Sequence, residues 1–100
     1  AAPKPSAYPI LATDYYVFVD TSSNSAFTVK LPEADSVTAG STVLVKDVGN
    51  NVATENVTIS RGDDGTDTID GATTKVLSAN YGFYKLVSNG NNAWHVVGNN

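Results

Sequence analysis

Asn80-Tyr81-Gly82-Phe83-Tyr84-Lys85-Leu86-Val87-Ser88-Asn89-Gly90-Asn91-Asn92-Ala93-Trp94-His95-Val96-Val97 contains two β-rich runs on either side of the polar tetrad Asn89 to Asn92. An Asn-Gly pair in that setting is a strong hairpin signal, because both residues tolerate positive φ. Strand alternation puts Tyr84 and Leu86 on one face with Trp94 and Val96, and Phe83, Val87, His95 and Val97 on the other. Both faces are largely apolar. A one-sheet domain normally keeps one face in water. The pattern therefore predicts a hairpin covered twice, once by the rest of the chain and once by another copy.

Upstream the chain is a series of short runs of the same kind. Tyr15-Tyr16-Val17-Phe18-Val19-Asp20 is apolar on both faces and is a second candidate for double burial, through Tyr15 and Val17. Phe27, Val29 and Leu31 alternate with Ala26, Thr28 and Lys30, and Pro32 stops that strand. Further strands are expected at Thr42 to Asp47, Asn56 to Ser60, Thr68-Ile69 and Thr74 to Leu77, with a helical turn at Glu33-Ala34-Asp35. About eight short strands spaced by Gly, Asn, Asp and Ser turns predict an all-β fold, a compact antiparallel β-sandwich or barrel. Residues 1–7, with Pro3 and Pro5, read as an extended arm ahead of a single β-domain over residues 8–100.

Ten acids against six bases give a formal charge of −4, and the bases are scattered, so nucleic acid is not an expected partner. The absence of cysteine excludes a disulfide scaffold and a thiolate metal site. No apolar run approaches the ~20 residues of a membrane helix.

Several constellations have both a functional and an ordinary reading. Asp63, Asp64, Asp67 and Asp70 lie in a stretch, Gly62-x-x-Gly65-x-Asp67-x-Ile69, that imitates one nonapeptide of a calcium-binding parallel β-roll. Asp63 replaces the second glycine of that pattern, and the following residues do not repeat it, so the ordinary reading is an acidic turn. Arg61-Gly62-Asp63 reads as turn chemistry rather than as a cell-adhesion tripeptide. His95 is the only histidine; with no second histidine or cysteine for a metal and no serine in a nucleophile-elbow setting, it is expected at an interface. No cofactor and no enzymatic activity are expected. Among Tyr8, Tyr15, Tyr16, Tyr81, Tyr84 and Trp94, alternation buries Trp94, Tyr84 and one of Tyr15 or Tyr16, leaving Tyr8 or Tyr81 for a sugar-stacking role.

The order Ala12-Thr13-Asp14-Tyr15-Tyr16, Val19-Asp20-Thr21, Phe27-Thr28-Val29-Lys30-Leu31-Pro32, Val45-Lys46-Asp47 with Gly49-Asn50, Asn56-Val57-Thr58-Ile59, Asp67-Thr68-Ile69-Asp70-Gly71 and Asn89-Gly90 before Trp94-His95-Val96 resembles a small β-domain of tailed-bacteriophage virion proteins. Such domains occur in tail fibres, receptor-binding tips and head fibres. The resemblance implies a non-enzymatic homotrimer on the outside of a virion. Tyr15, Val17, Phe83, Val87, His95 and Val97 are then the expected trimer interface. Ala1, Pro3, Lys4 and Pro5 form the arm expected to contact the major capsid protein or another virion protein. Fibres carry an anchor and a shaft for which a hundred residues leave no room, so a whole protein of this length is expected to be a capsid decoration or cement protein. The alternative is a fibre-tip adhesin that recognises host surface glycans.

Overall fold

A computed structural model describes residues 3–23 and 25–99. Among the described residues nine strands form two sheets that face each other across one core. The strands are β1 (Tyr8–Pro9), β2 (Tyr16–Val19), β3 (Phe27–Lys30), β4 (Thr42–Asp47), β5 (Val57–Ser60), β6 (Thr68–Ile69), β7 (Thr74–Leu77), β8 (Phe83–Ser88) and β9 (Ala93–Asn99). The smaller sheet has the order β1-β3-β5-β7 and the larger β2-β4-β8-β9-β6. A 3₁₀ turn, Ala34–Ser36, lies between β3 and β4.

Both sheets are mixed, which corrects the antiparallel expectation. β1 and β5 flank β3 in parallel, β2 runs parallel to β4 and β6 parallel to β9, while β4–β8, β5–β7 and β8–β9 are antiparallel. The reason lies in the connections. From β1 to β6 each loop carries the chain across to the other sheet rather than back along the same one, so strands two apart in sequence stack in the same direction. Parallel neighbours need such a crossover, whereas a tight turn reverses the chain.

The inner rows are β-branched and aromatic, as a packed strand favours. Val17, Val45 and Tyr84 share one row, and Val43, Leu86 and Val96 the next. They meet Val29 and Ile59, and Val57 and Leu77, from the smaller sheet. Trp94 is fully buried, and its indole N–H donates to the Pro32 carbonyl at 3.1 Å. Buried polar groups tie the ends together. The Asp47 carboxylate accepts the backbone N–H groups of Gly49 and Tyr81, and the Ala34 backbone donates to Asp67 and accepts from the Ser88 hydroxyl.

The expected hairpin is present as β8–β9. The Asn89 side-chain oxygen accepts from the backbone of Asn91, Asn92 and Ala93, closing the loop as Asn does in turns. Gly90 has φ +76°, and a Cβ there would stand 2.8 Å from the Ala39 nitrogen. Gly90→Ala is therefore expected to cost about 2 kcal/mol, from left-handed strain plus the clash. A denaturation midpoint equal to the wild type's would contradict this.

Candidate functional site

The outer faces of the two sheets differ in chemistry. On the smaller sheet the outward rows are Thr28, Thr58 and Val76, then Lys30, Ser60 and Thr74, a mostly hydroxyl-bearing surface suited to water. On the larger sheet they are Phe18, Lys46 and Phe83, then Tyr16, Leu44 and Lys85, then Thr42, Val87 and His95. Tyr16 and Val97 are 54% and 58% exposed. Val97 follows the inward Val96 on β9 and is exposed beside the register shift at Lys85 and Leu86. At the β2 edge of this face the Tyr15 ring meets Tyr16 edge-on at 4.4 Å, and Tyr16 stacks on Phe18 at 6.0 Å. The face thus combines aromatic and aliphatic side chains with Lys46, Lys85 and His95.

The chain matches no protein-family model, and no curated protein matches it. Its own geometry therefore carries the functional reading.

Of the expected interface residues, Phe83, Val87, His95 and Val97 lie on this outer face. Tyr15, 42% exposed, sits at its edge. Val17 does not belong: it is 1% exposed and packs into the monomer core beside Val45. The outward residues of β2 are Tyr16 and Phe18. Both faces of that strand are apolar in sequence, and in the fold it is the valines, Val17 and Val19, that face the core. His95 lies beside Asp70, with Nδ1 to Oδ1 at 3.3 Å, and among the described residues no serine hydroxyl is bonded to it.

The four acids do not converge. Asp63 pairs with Lys30 at 2.5 Å, Asp67 is buried against the Ala34 N–H, and Asp70 faces His95 and the Val96 N–H. The Asp64 backbone donates to Glu33. Among the described residues no three acid or imidazole groups are placed to share an ion. Each of these positions is a turn or cap in its own right. Asp70 and Gly71, with φ of 51° and 83°, make the two-residue reversal from Ile69 to Ala72. Adding calcium or a chelator is expected to leave the melting temperature unchanged, and a calcium-dependent rise would revive the site. Gly62 is buried under the Glu33 carboxylate and Asp63 is paired with Lys30, so Arg61-Gly62-Asp63 leads into a turn tied to its own domain.

The expected arm is docked on its own domain at Lys4. The Lys4 N–H donates to the Phe18 carbonyl and its carbonyl accepts from Asp20, extending the larger sheet past β2 by one residue. Pro3 and Pro5 on either side are exposed, and Ala1 lies outside the described residues. Lys4 also lies over the Tyr8 ring at 4.3 Å. The Tyr8 hydroxyl donates to Asp14 at 2.6 Å, and this bond is the main reason the phenol titrates above the usual tyrosine range; burial and the carboxylate's charge add to it. Folding thus favours the protonated phenol. Its contribution to stability is complete below the ordinary tyrosine pKa and is lost as pH rises through the raised one. Tyr8→Phe is expected to remove that alkaline loss from the pH dependence of melting, and an unchanged alkaline decline would contradict it.

Tyr81 is exposed as expected, at 54%, but Tyr15 and Tyr16 are both exposed as well, where alternation was expected to bury one of them. The Tyr81 backbone is left-handed, with φ 59°, and is held between the Asp47 carboxylate and the Lys46 ammonium, contacts that no local motif signals.

Proposed function

We propose that this chain is a non-enzymatic structural protein of a tailed-phage virion surface, a homotrimer that decorates or cements the capsid. The observation that carries the reading is the apolar outer face of the larger sheet, set beside a polar outer face on the smaller one. A monomer would leave aromatic and aliphatic rows in water, whereas a second and third copy would cover them. The number three and the virion come from the resemblance of the chain to phage β-domains. Attachment would be modest per copy and multiplied by three linked contacts on the shell. The exposed prolines beside Lys4 are the part of the arm offered to a shell subunit.

The deciding experiment is co-sedimentation of the purified chain with tailed-phage heads that lack their decoration protein. Saturable binding supports this reading, and the absence of binding to heads contradicts it.

A second reading, a fibre-tip adhesin for host glycans, is favoured by Tyr81. An exposed ring on a strained backbone, fixed by Asp47 and Lys46, is a rigid stacking platform. It predicts that Tyr81→Ala abolishes binding to host cells or a glycan array, and retained binding would contradict it.

A further inference from the structure

Lys85 stands in the middle of the apolar outer face, in the row of Tyr16 and Leu44 and between Phe83 and Val87 along its own strand. It is half-buried, and it makes no ion pair or hydrogen bond through its side chain with any described residue. Lys46 in the next row differs, since its ammonium donates to the Tyr81 and Asp47 carbonyls. The five strands of the larger sheet contribute one acid, Asp47, and it points into the core. Asp70 stands at the rim and is engaged by His95. The face is therefore cationic and apolar on a chain whose formal charge is −4.

We propose that this face docks against a carboxylate-bearing surface of the next copy of the chain, which supplies the counter-charge of Lys85. The inference rests on the homotrimer reading and adds the chemistry that the contacting surface must have. An ammonium covered by apolar neighbours loses its water at a cost of several kcal/mol unless a carboxylate meets it. Two such faces packed against each other would bring together two surfaces that each carry Lys46 and Lys85 and no outward acid, so a two-fold dimer through this surface leaves both lysines without a counter-charge. A ring, in which the face of one copy meets a different surface of the next, escapes that lack. Exposed carboxylates are available for the contact: those of Asp35 and Asp64 accept no hydrogen bond from a described residue.

The test mixes isotopically light and heavy chains and joins lysines to touching carboxylates with a zero-length carbodiimide. The expected result is a mixed-label peptide pair containing Lys85. Lys85→Glu is expected to weaken self-association at least about tenfold, while NMR shift dispersion shows the domain still folded. Lys85→Met, which keeps the apolar stem, is expected to self-associate less tightly than wild type and with less sensitivity to salt. A trimer whose mass survives Lys85→Glu unchanged, or Lys85 links confined to a single copy, would overturn the inference while leaving the trimer intact. A wild-type chain that runs as a monomer would overturn the trimer reading itself, and this inference with it. Loss of head or host-cell binding in Lys85→Glu with self-association unchanged would assign the counter-charge to a foreign surface and also overturn it.

Discussion

Trp94→Ala is expected to remove about 4 kcal/mol of folding stability, a large share of the roughly 5–15 kcal/mol available to a domain. Trp94 is fully buried on β9, shares its row with Ser88 and Ile69, and bonds the Pro32 carbonyl across the sandwich. Removing the indole leaves a cavity where the two sheets and the 3₁₀ turn meet, and it orphans that carbonyl. Thermal or chemical denaturation monitored by circular dichroism reads the effect directly. Trp94→Phe, which keeps an aromatic ring but loses the N–H, is expected to cost less than half as much. A melting temperature for Trp94→Ala within a few degrees of wild type would show that the core lies elsewhere.

Val87→Asp is expected to act on assembly rather than on folding. Val87 faces outward between Thr42 and His95, so a carboxylate there does not enter the monomer core. In a covered interface the same carboxylate is desolvated, and where the facing surface is acidic it is also repelled. Self-association is expected to fall by at least about a hundredfold, while the far-ultraviolet spectrum of the domain stays the same. An assembly of unchanged mass would show that another surface joins the copies.

How much of this was readable from the sequence varies along the chain. The hairpin was readable because Asn89-Gly90 specifies a local reversal and the runs on either side alternate. Thr42–Asp47 and Thr74–Leu77 were placed to the residue for a similar reason, their ends being marked by turn residues. Sheet membership was not readable. Loops such as residues 20–26 and 48–56 carry the same Gly, Asn and Ser chemistry whether they reverse the chain or carry it across to the other sheet, so the parallel pairs β1–β3, β3–β5 and β2–β4 went unseen. The same limit misassigned Val17, because in a strand apolar on both faces only the partner sheet decides which side is in. The acidic stretch showed its residue types but not its geometry: Asp63, Asp67 and Asp70 each answer to a different partner brought from Lys30, Ala34 and His95. Doubly apolar strands did announce apolar side chains on a second face, and those of β2, β4 and β8 lie on the outer face of the larger sheet.

Light scattering on a size-exclusion column gives the solution mass of the chain and decides whether its copies assemble. Three times the 10.4 kDa of one chain is the predicted result. A single-chain mass would leave the apolar face of the larger sheet bare and contradict the assembly on which the proposed function rests.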